Sequence, residues 1–272
     1  MIPASFEYVR ASSLADAISL LSSADGAKLL AGGHSLLPAM RLRVARPTTL
    51  VDIGRLQDLS YVRADGDGIA VGALTRHHDV AASDVLRALC PIVAAAAEQI
   101  GDPQVRHMGT IGGSVAHADP AGDMPSVLLA LDAQFVVAGP GGIRTIEAHD
   151  LFTSLFETSL LPDEVLTEIR VPRATAGWSY VKFNRRAQDW ALVGVAAVAG
   201  PGGARVALTN MGLTPLRARG VEEELARDAD PTRAAERAAE GTAPPSDAFA
   251  SDDYRRRVVK VLVRRALEET LS

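Results

Sequence analysis

One cysteine, Cys90, is all the thiol that this 272-residue chain possesses. A single thiol builds neither an iron–sulfur cluster, nor a thiolate zinc site, nor an internal disulfide, so the chain holds no cluster of its own and a cytoplasmic setting is expected. Long apolar runs are missing as well, and no stretch reaches the length of a membrane span. The opening MIPASFEYVRASSL has no basic segment followed by a long apolar core, so the protein reads as soluble, untargeted and without integral membrane contact. Positive charge is not in excess: the net charge of -5 argues against a general nucleic-acid binder. Neither the Gly-x-Gly-x-x-Gly of a Rossmann dinucleotide site nor the Gly-Lys-Ser/Thr of a nucleoside-triphosphate loop occurs. His77, His78, His107 and His117 have no carboxylate or cysteine at a metal-ligand spacing, so no metal is assigned. No Ser/His/Asp constellation stands out, and no catalytic residue is assigned.

What is present suits a soluble globular protein. Hydrophobic residues make up 47% and charged residues 22%, enough to bury a sizeable core, and the length predicts two or three modules sharing one ligand or interface. The first fifty residues read as strand (6–9), helix from Leu14 with Ser13 as its cap, strand (28–31), loop and strand (49–53). That is a small α/β unit with a Gly-Gly loop at a strand end, where ligands commonly bind. A hairpin turns on Asp65-Gly66-Asp67-Gly68, Thr75 is expected to cap a helix through Val80, and a small-residue helix runs to Ile100, ending at Gly101-Asp102-Pro103. Strands follow around 135–137, 142–144 and 165–172, and Arg173 to Gly177 reads as a hinge. Beyond it, 179–183, 190–199 and 205–210 predict a three-stranded antiparallel sheet, followed by helices at 221–226, 234–239 and 252–271. In the last helix Val258, Val261, Leu262 and Leu267 are expected to face inward. Arg255, Arg256, Lys260, Arg264 and Arg265 are expected outside, as a solvated face or as a contact for an acidic partner.

Two stretches are rich in glycine. Gly109 to Pro125, GTIGGSVAHADPAGDMP, reads as a loop leading into an apolar helix from Pro125. Ala31-Gly32-Gly33-His34-Ser35 lies upstream. Backbone amides with no side chain in the way can hold an anion such as a pyrophosphate, and Thr110 and Ser114 add hydroxyls. Each pair taken alone reads first as a turn.

Their combination resembles a family. LLAGGHSLLPAMRLR (29–43), IGDPQVRHMGTIGGSVAHADPAGDMPSVLLALDA (100–133) and YVKFNRRAQDWALVGVAA (180–197) are similar to three signatures of the FAD-binding medium subunit of molybdenum hydroxylases. That family includes the FAD subunits of carbon monoxide dehydrogenase and xanthine dehydrogenase. The resemblance covers nearly the whole chain and implies an α+β fold. It would comprise a two-lobed vanillyl-alcohol-oxidase-like FAD domain, with lobes at 1–55 and 56–174, and a small C-terminal domain at 175–272 with the three-stranded sheet and helices.

The same resemblance implies non-covalent FAD. Leu29, Leu30, Ala31, Gly32, Gly33, His34, Ser35 and Leu36 would wrap the pyrophosphate and nearby flavin, with Thr110, Ile111, Gly112, Gly113 and Ser114 binding from the other side. Asp123 would accept from a ribose or ribityl hydroxyl, or serve as the N-cap of the following helix. Ile100 and Leu166 would pack on flavin or adenine rings, or be ordinary core. Lys182 would stand near the isoalloxazine, or be a strand lysine with a solvated head. Trp190 stands where relatives usually carry tyrosine; it offers a ring and an N–H but no hydroxyl.

By resemblance, a large partner subunit holds the molybdenum cofactor and a small one relays electrons through two [2Fe-2S] clusters. This chain collects them and passes them to an external acceptor, in an assembly expected to be a dimer of heterotrimers. A self-sufficient FAD oxidase or reductase of the vanillyl-alcohol-oxidase type is the alternative within the fold, and a non-catalytic assembly protein is the alternative outside enzymes.

Overall fold

The computed structural model describes residues 2–200, 203–228 and 230–272. Short apolar runs alternate with an amphipathic stretch in the first fifty residues, and each becomes an element. These are β1 (Glu7–Arg10), α1 (Leu14–Ser23), β2 (Ala27–Leu30), α2 (Leu36–Arg41) and β3 (Thr49–Asp52). Ser13 starts α1 by accepting from the Asp16 amide, as its spacing predicts. Both β1 and β2 pair in parallel with β3, which sits between them. Parallel pairing brings the loops after β2 and β3 to one edge, the C-terminal edge where open α/β sheets receive ligands.

The middle of the chain contributes β4 (Val62–Asp65), β5 (Gly68–Gly72), α3 (His77–Ala82), α4 (Asp84–Leu89), α5 (Pro91–Glu98), α6 (Pro103–Met108), α7 (Ile111–His117) and α8 (Asp123–Ala130). It continues with β6 (Gln134–Gly139), β7 (Gly142–Glu147), α9 (Ala148–Leu151), β8 (Phe152–Ser154), β9 (Glu157–Thr158) and β10 (Val165–Pro172). A five-stranded antiparallel sheet in the order β4-β5-β10-β6-β7 carries the helices on one face. α5 is buried nearly all round, at Ile92, Val93, Ala94, Ala96 and Ala97, which is why its sequence is small and apolar rather than amphipathic. Two local expectations are corrected. Thr75 does not cap α3; its hydroxyl is buried and bonds both backbone groups of Tyr61. Gly101-Asp102-Pro103 ends one helix but also begins another, because Asp102 accepts from the Val105 amide and Pro103 occupies the first turn of α6.

The last part holds β11 (Trp178–Phe183), β12 (Val193–Gly200), β13 (Gly203–Thr209), β14 (Leu216–Arg217), α10 (Arg219–Arg227), α11 (Pro231–Glu236) and α12 (Asp252–Thr270). The expected three-stranded sheet is four-stranded, since Arg217 and Leu216 pair with Ala207 and Leu208. A two-residue strand is too short for alternation to register. Tyr180, Ala196, Val198 and Ala207 of this sheet are buried within the core of the preceding part, so the two share apolar packing.

The inward stripe of α12 also differs from expectation. It runs through Arg255, Val259, Leu262, Val263, Ala266, Leu267 and Thr270, while Val261 is exposed. Arg255 belongs inside because its charge is met there: one guanidinium nitrogen donates to the Leu192 carbonyl and another to Asp247 at 2.7 Å. Arg255→Ala would leave that carbonyl buried without a donor and open a cavity. A loss of about 3 kcal/mol is expected, read as a lower urea midpoint at unchanged slope. Arg255→Met, which refills the volume, should lose less than half of that.

Candidate functional site

β2 runs into the loop Ala31 to Ser35 at the edge of the parallel sheet. Gly32 is needed there by close approach: a Cβ on it would meet the Met108 carbonyl and come within 2.8 Å of the Gly109 Cα. The first glycine loop therefore rests directly on the backbone that leads into the second. Among the described residues, the amides of Gly32, Gly33, His34 and Ser35 donate to no acceptor within the chain. Four consecutive unpaired N–H groups must be satisfied by water or by a ligand, and a run of backbone amides is the arrangement that holds phosphate oxygens.

The second glycine stretch is built differently, which corrects the reading of 109–125 as a loop. Residues 111–117 form α7, and Thr110 caps it by accepting from the Gly113 amide at 3.1 Å. The Ile111 amide donates to Thr75, that of Gly112 to Ala73, and that of Ser114 to Thr110. The main chain of 111–114 is thus spent on the fold, and this side offers a firm wall and the Ser114 hydroxyl instead of an amide nest. Gly112 is glycine because α7 packs onto Ala73: a Cβ would lie 2.5 Å from the Ala73 Cβ. Ile111 faces the core and does not reach the cavity, contrary to expectation.

Asp123 begins α8 without capping it, so the N-cap reading falls; the cap position is Gly122. Both carboxylate oxygens already have donors. The Tyr180 hydroxyl donates to Oδ1 at 2.5 Å, and the Lys182 ammonium donates to Oδ2 at 3.0 Å and to the Gln99 carbonyl at 2.9 Å. The Lys182 side chain is 3% exposed, which overturns the reading of a solvated strand lysine. Its carbon stem follows β11 inward, and its head is held by the pair. Burial pushes the Asp123 carboxyl above its usual range, with Lys182 and Tyr180 pulling the other way. Burial, followed by the Asp123 charge, pushes the Tyr180 phenol well up.

These walls enclose a cavity of about 690 Å³, within the size range of small-molecule and cofactor sites. Residues Leu29 to Leu36 line it without a break, together with Ile100, Thr110, Gly112, Gly113, Ser114, Asp123, Leu166, Lys182 and Trp190. Leu166 is buried in the wall and Ile100 half-buried. Trp190 stands 68% exposed in the loop between β11 and β12.

Several lining residues have no role assigned from the sequence. His77 is buried, its Nδ1 has no partner among the described residues, and burial with the nearby Arg106 charge brings its pKa down to about 4. His117 packs against Phe156 with ring centroids 5.1 Å apart, and its pKa is also lowered, first by burial. The segment Phe156 to Glu164 forms another wall. Arg144 of β7 clamps it through two bonds of 2.7 Å to Glu164 and one to the Ser159 carbonyl. The Arg144 guanidinium holds the Glu164 carboxyl below the usual range. Partners twenty residues apart leave no periodic signal, so neither Glu164 nor this wall could be read from spacing.

A cavity of this size with one amide-lined side and one apolar side fits a phosphate-bearing ring cofactor. Comparison with known proteins agrees. The model of the family described as "FAD binding domain in molybdopterin dehydrogenase" matches residues 4–174, and that of the "CO dehydrogenase flavoprotein C-terminal domain" matches residues 178–270. The chain is 41% identical to the carbon monoxide dehydrogenase medium chain of Hydrogenophaga pseudoflava, covering 98% of this chain and 97% of that one. It is 40% identical to the glyceraldehyde dehydrogenase medium chain of Sulfolobus acidocaldarius, covering 99% of both. Among solved structures, carbon monoxide dehydrogenase from H. pseudoflava lacking the Mo-pyranopterin moiety superposes with a TM-score of 0.95 at 41% identity, covering 100% of this chain and 99% of that one.

The two glycine stretches predict different responses to mutation. Gly112→Ala gains helix propensity but drives a methyl into Ala73; a net loss of about 1–2 kcal/mol is expected as a lower thermal midpoint. Ser114→Ala should leave that midpoint unchanged, because the hydroxyl bonds nothing in the chain among the described residues.

Proposed function

The chain belongs to the family of FAD-binding subunits of molybdopterin dehydrogenases, and from that premise we propose that it is the electron-transferring medium subunit of a heterotrimeric molybdenum hydroxylase. The observation that carries this reading is the row of four unpaired amides, Gly32 to Ser35, in a cavity whose lining includes every expected position except Ile111. Bound non-covalently, FAD would supply the redox chemistry that links the [2Fe-2S] clusters of a small subunit to an external acceptor. The large subunit holds the molybdenum cofactor. With one buried cysteine, this chain has no ligand set for a cluster of its own.

Within that function the residues divide their work. The Gly32 to Ser35 amides hold the pyrophosphate, with His34 beside them. Thr110 and Ser114 stand opposite with their hydroxyls, Gly112 lets α7 lie close on Ala73, and Gly113 leaves room for the Thr110 hydroxyl that caps the helix. Asp123 and Lys182 keep spare hydrogen-bonding capacity toward the cavity, since each carboxylate oxygen accepts more than one donor and Lys182 uses two of its three protons. Ile100 and Leu166 pack on rings, and Trp190 covers the mouth. The finer architecture in this reading is a two-lobed domain of the vanillyl-alcohol-oxidase type, with lobes at 1–55 and 56–174, followed by the C-terminal domain at 175–272. Supporting it are the boundary between the two family matches, at 174–178, and the division of the strands into separate sheets. Among the described residues no helix is long and apolar enough to cross a membrane, and a cytoplasmic dimer of heterotrimers is the assembly proposed.

Substrate choice belongs to the large subunit. Relatives named for carbon monoxide and for glyceraldehyde are 41% and 40% identical to this chain, so the sequence that is common to them serves both.

Tagged in its native host, the chain should co-purify with two further polypeptides and show a flavin band overlaid by broad iron–sulfur absorption. Flavin absorption from the chain alone would favour a self-sufficient oxidase, and a colourless product that takes up no added FAD would overturn the reading. His34→Asp tests the phosphate loop without touching packing, since His34 is exposed and makes no hydrogen bond to the described residues. FAD affinity should fall at least about tenfold at an unchanged thermal midpoint of the apo chain, from negative charge beside the pyrophosphate.

A further inference from the structure

Behind the cavity wall lies a chain of buried polar groups that the cofactor reading alone does not require. Tyr180 and Lys182 sit two residues apart on β11, so both side chains leave the same face of the C-terminal sheet and meet Asp123 on α8. Lys182 and Asp123 line the cavity, but Tyr180 does not. Its ring is buried in the apolar core, and its hydroxyl donates to Oδ1 of Asp123 while Lys182 takes Oδ2. Thr209 of β13 and Ser126 of α8 close the cluster from behind, with their hydroxyls 2.5 Å apart. In so dry a place a carboxylate keeps its charge only while donors compensate it, and two are supplied by one strand of another sheet.

We propose that Tyr180 is a positioning residue: its hydroxyl turns the Asp123 carboxylate so that the opposite oxygen holds the Lys182 ammonium at the cavity wall, and through this pair the C-terminal sheet sets the charge presented to the bound cofactor. The proposal rests on the FAD reading above. With Tyr180 in place the pair is neutral as a whole, Asp123 negative and Lys182 positive. Without the hydroxyl, Asp123 keeps a single donor in a site that already disfavours its charge, and it takes up a proton. The positive charge of Lys182 is then no longer balanced beside the cavity, which favours a reduced, more negative cofactor. The charged and titratable groups that face Asp123 are Lys182 and Tyr180 from β11 and Asp119 from the turn before α8; Asp119, being negative, pushes toward the same protonation.

Tyr180→Phe removes one oxygen and keeps the ring. In the assembled, FAD-loaded complex it should raise the two-electron midpoint potential by the equivalent of a tenfold change in equilibrium, ~30 mV. Asp123→Asn should raise it as well, and adding Tyr180→Phe to Asp123→Asn should change it no further, because the hydroxyl acts through the carboxylate. Equal shifts of the single variants that add in the double variant would overturn the proposal. So would an unchanged potential in Tyr180→Phe, or an equal shift in Ser179→Ala, which deletes a buried hydroxyl of the same strand that donates to Glu269 and not to the cluster. Should Tyr180→Phe fail to fold, Asp123→Asn carries the test, and no rise in its potential overturns the proposal.

A second readout needs no cofactor and so separates this proposal from the FAD reading. Loss of the hydroxyl raises the folded-state proton affinity of Asp123 further above its unfolded value, and a group raised in this way costs stability as pH rises through its folded pKa. The thermal midpoint of the apo chain should therefore fall more in Tyr180→Phe at neutral than at acidic pH. An equal fall at both would show that Tyr180 merely packs.

Discussion

A charged pair taken out of water, Asp123 with Lys182, constrains the whole region where the parts of this chain meet. Such a pair is poor evidence of stability, because desolvation offsets most of the attraction. Its value is geometric. A carboxylate on the first turn of α8 can be satisfied only if β11 arrives with a phenol and an ammonium two residues apart, which fixes the C-terminal sheet against the helical layer in one register. The Gln99 carbonyl at the end of α5 accepts from the same ammonium, so two helices and a strand are tied at one point on the cavity wall. Apolar packing of Tyr180, Ala196, Val198 and Ala207 supplies the area; the polar cluster selects the alignment.

The glycine stretches look alike in sequence and do different physical work. In the first, glycine allows a loop to touch another backbone, at Gly32 against Met108 and Gly109, and leaves a row of amides unpaired. In the second, glycine lets a helix lie flat on Ala73, and the amides are consumed by Thr75, Ala73 and Thr110. A ligand held between them meets donors on one side and shape on the other. That asymmetry suits a cofactor with a phosphate at one place and flat rings elsewhere, which needs a specific grip only where its charge lies.

Much of this was readable from residue types and spacing. The small α/β unit at the start, the hairpin at Asp65 to Gly68 and the Ser13 cap follow from local chemistry, and local chemistry is what a sequence displays directly. The motifs that resemble the family also fall around one cavity. What stayed hidden depends on partners distant along the chain. Arg255 looks like a surface arginine until Leu192 and Asp247 are brought to it, and nothing near Lys182 in sequence shows that Asp123 and Gln99 enclose its head. Arg144 and Glu164 clamp a wall from strands and turns that no periodic pattern links. The helix at 111–117 is illegible in the sequence for a related reason. Two glycines lower its intrinsic propensity, while Ile111 and Val115, both fully buried, recover it through packing that local reading does not count.

The division between what is fixed and what is open in the cavity bears on how such a chain serves different enzymes. Its deep walls are set by groups that satisfy one another: Thr110 on Gly113, Lys182 on Asp123 and Gln99. Its mouth is set by side chains that stand out toward solvent, Trp190 at 68% and Leu161 at 57% exposed. Substitution in the walls would strand a buried donor or acceptor, at about 1–3 kcal/mol each, whereas substitution at the rim costs almost nothing in folding. A rim free of structural duty can change with the electron acceptor while the walls keep the cofactor. Trp190, the most exposed of these, falls on the side of that line where change is cheap.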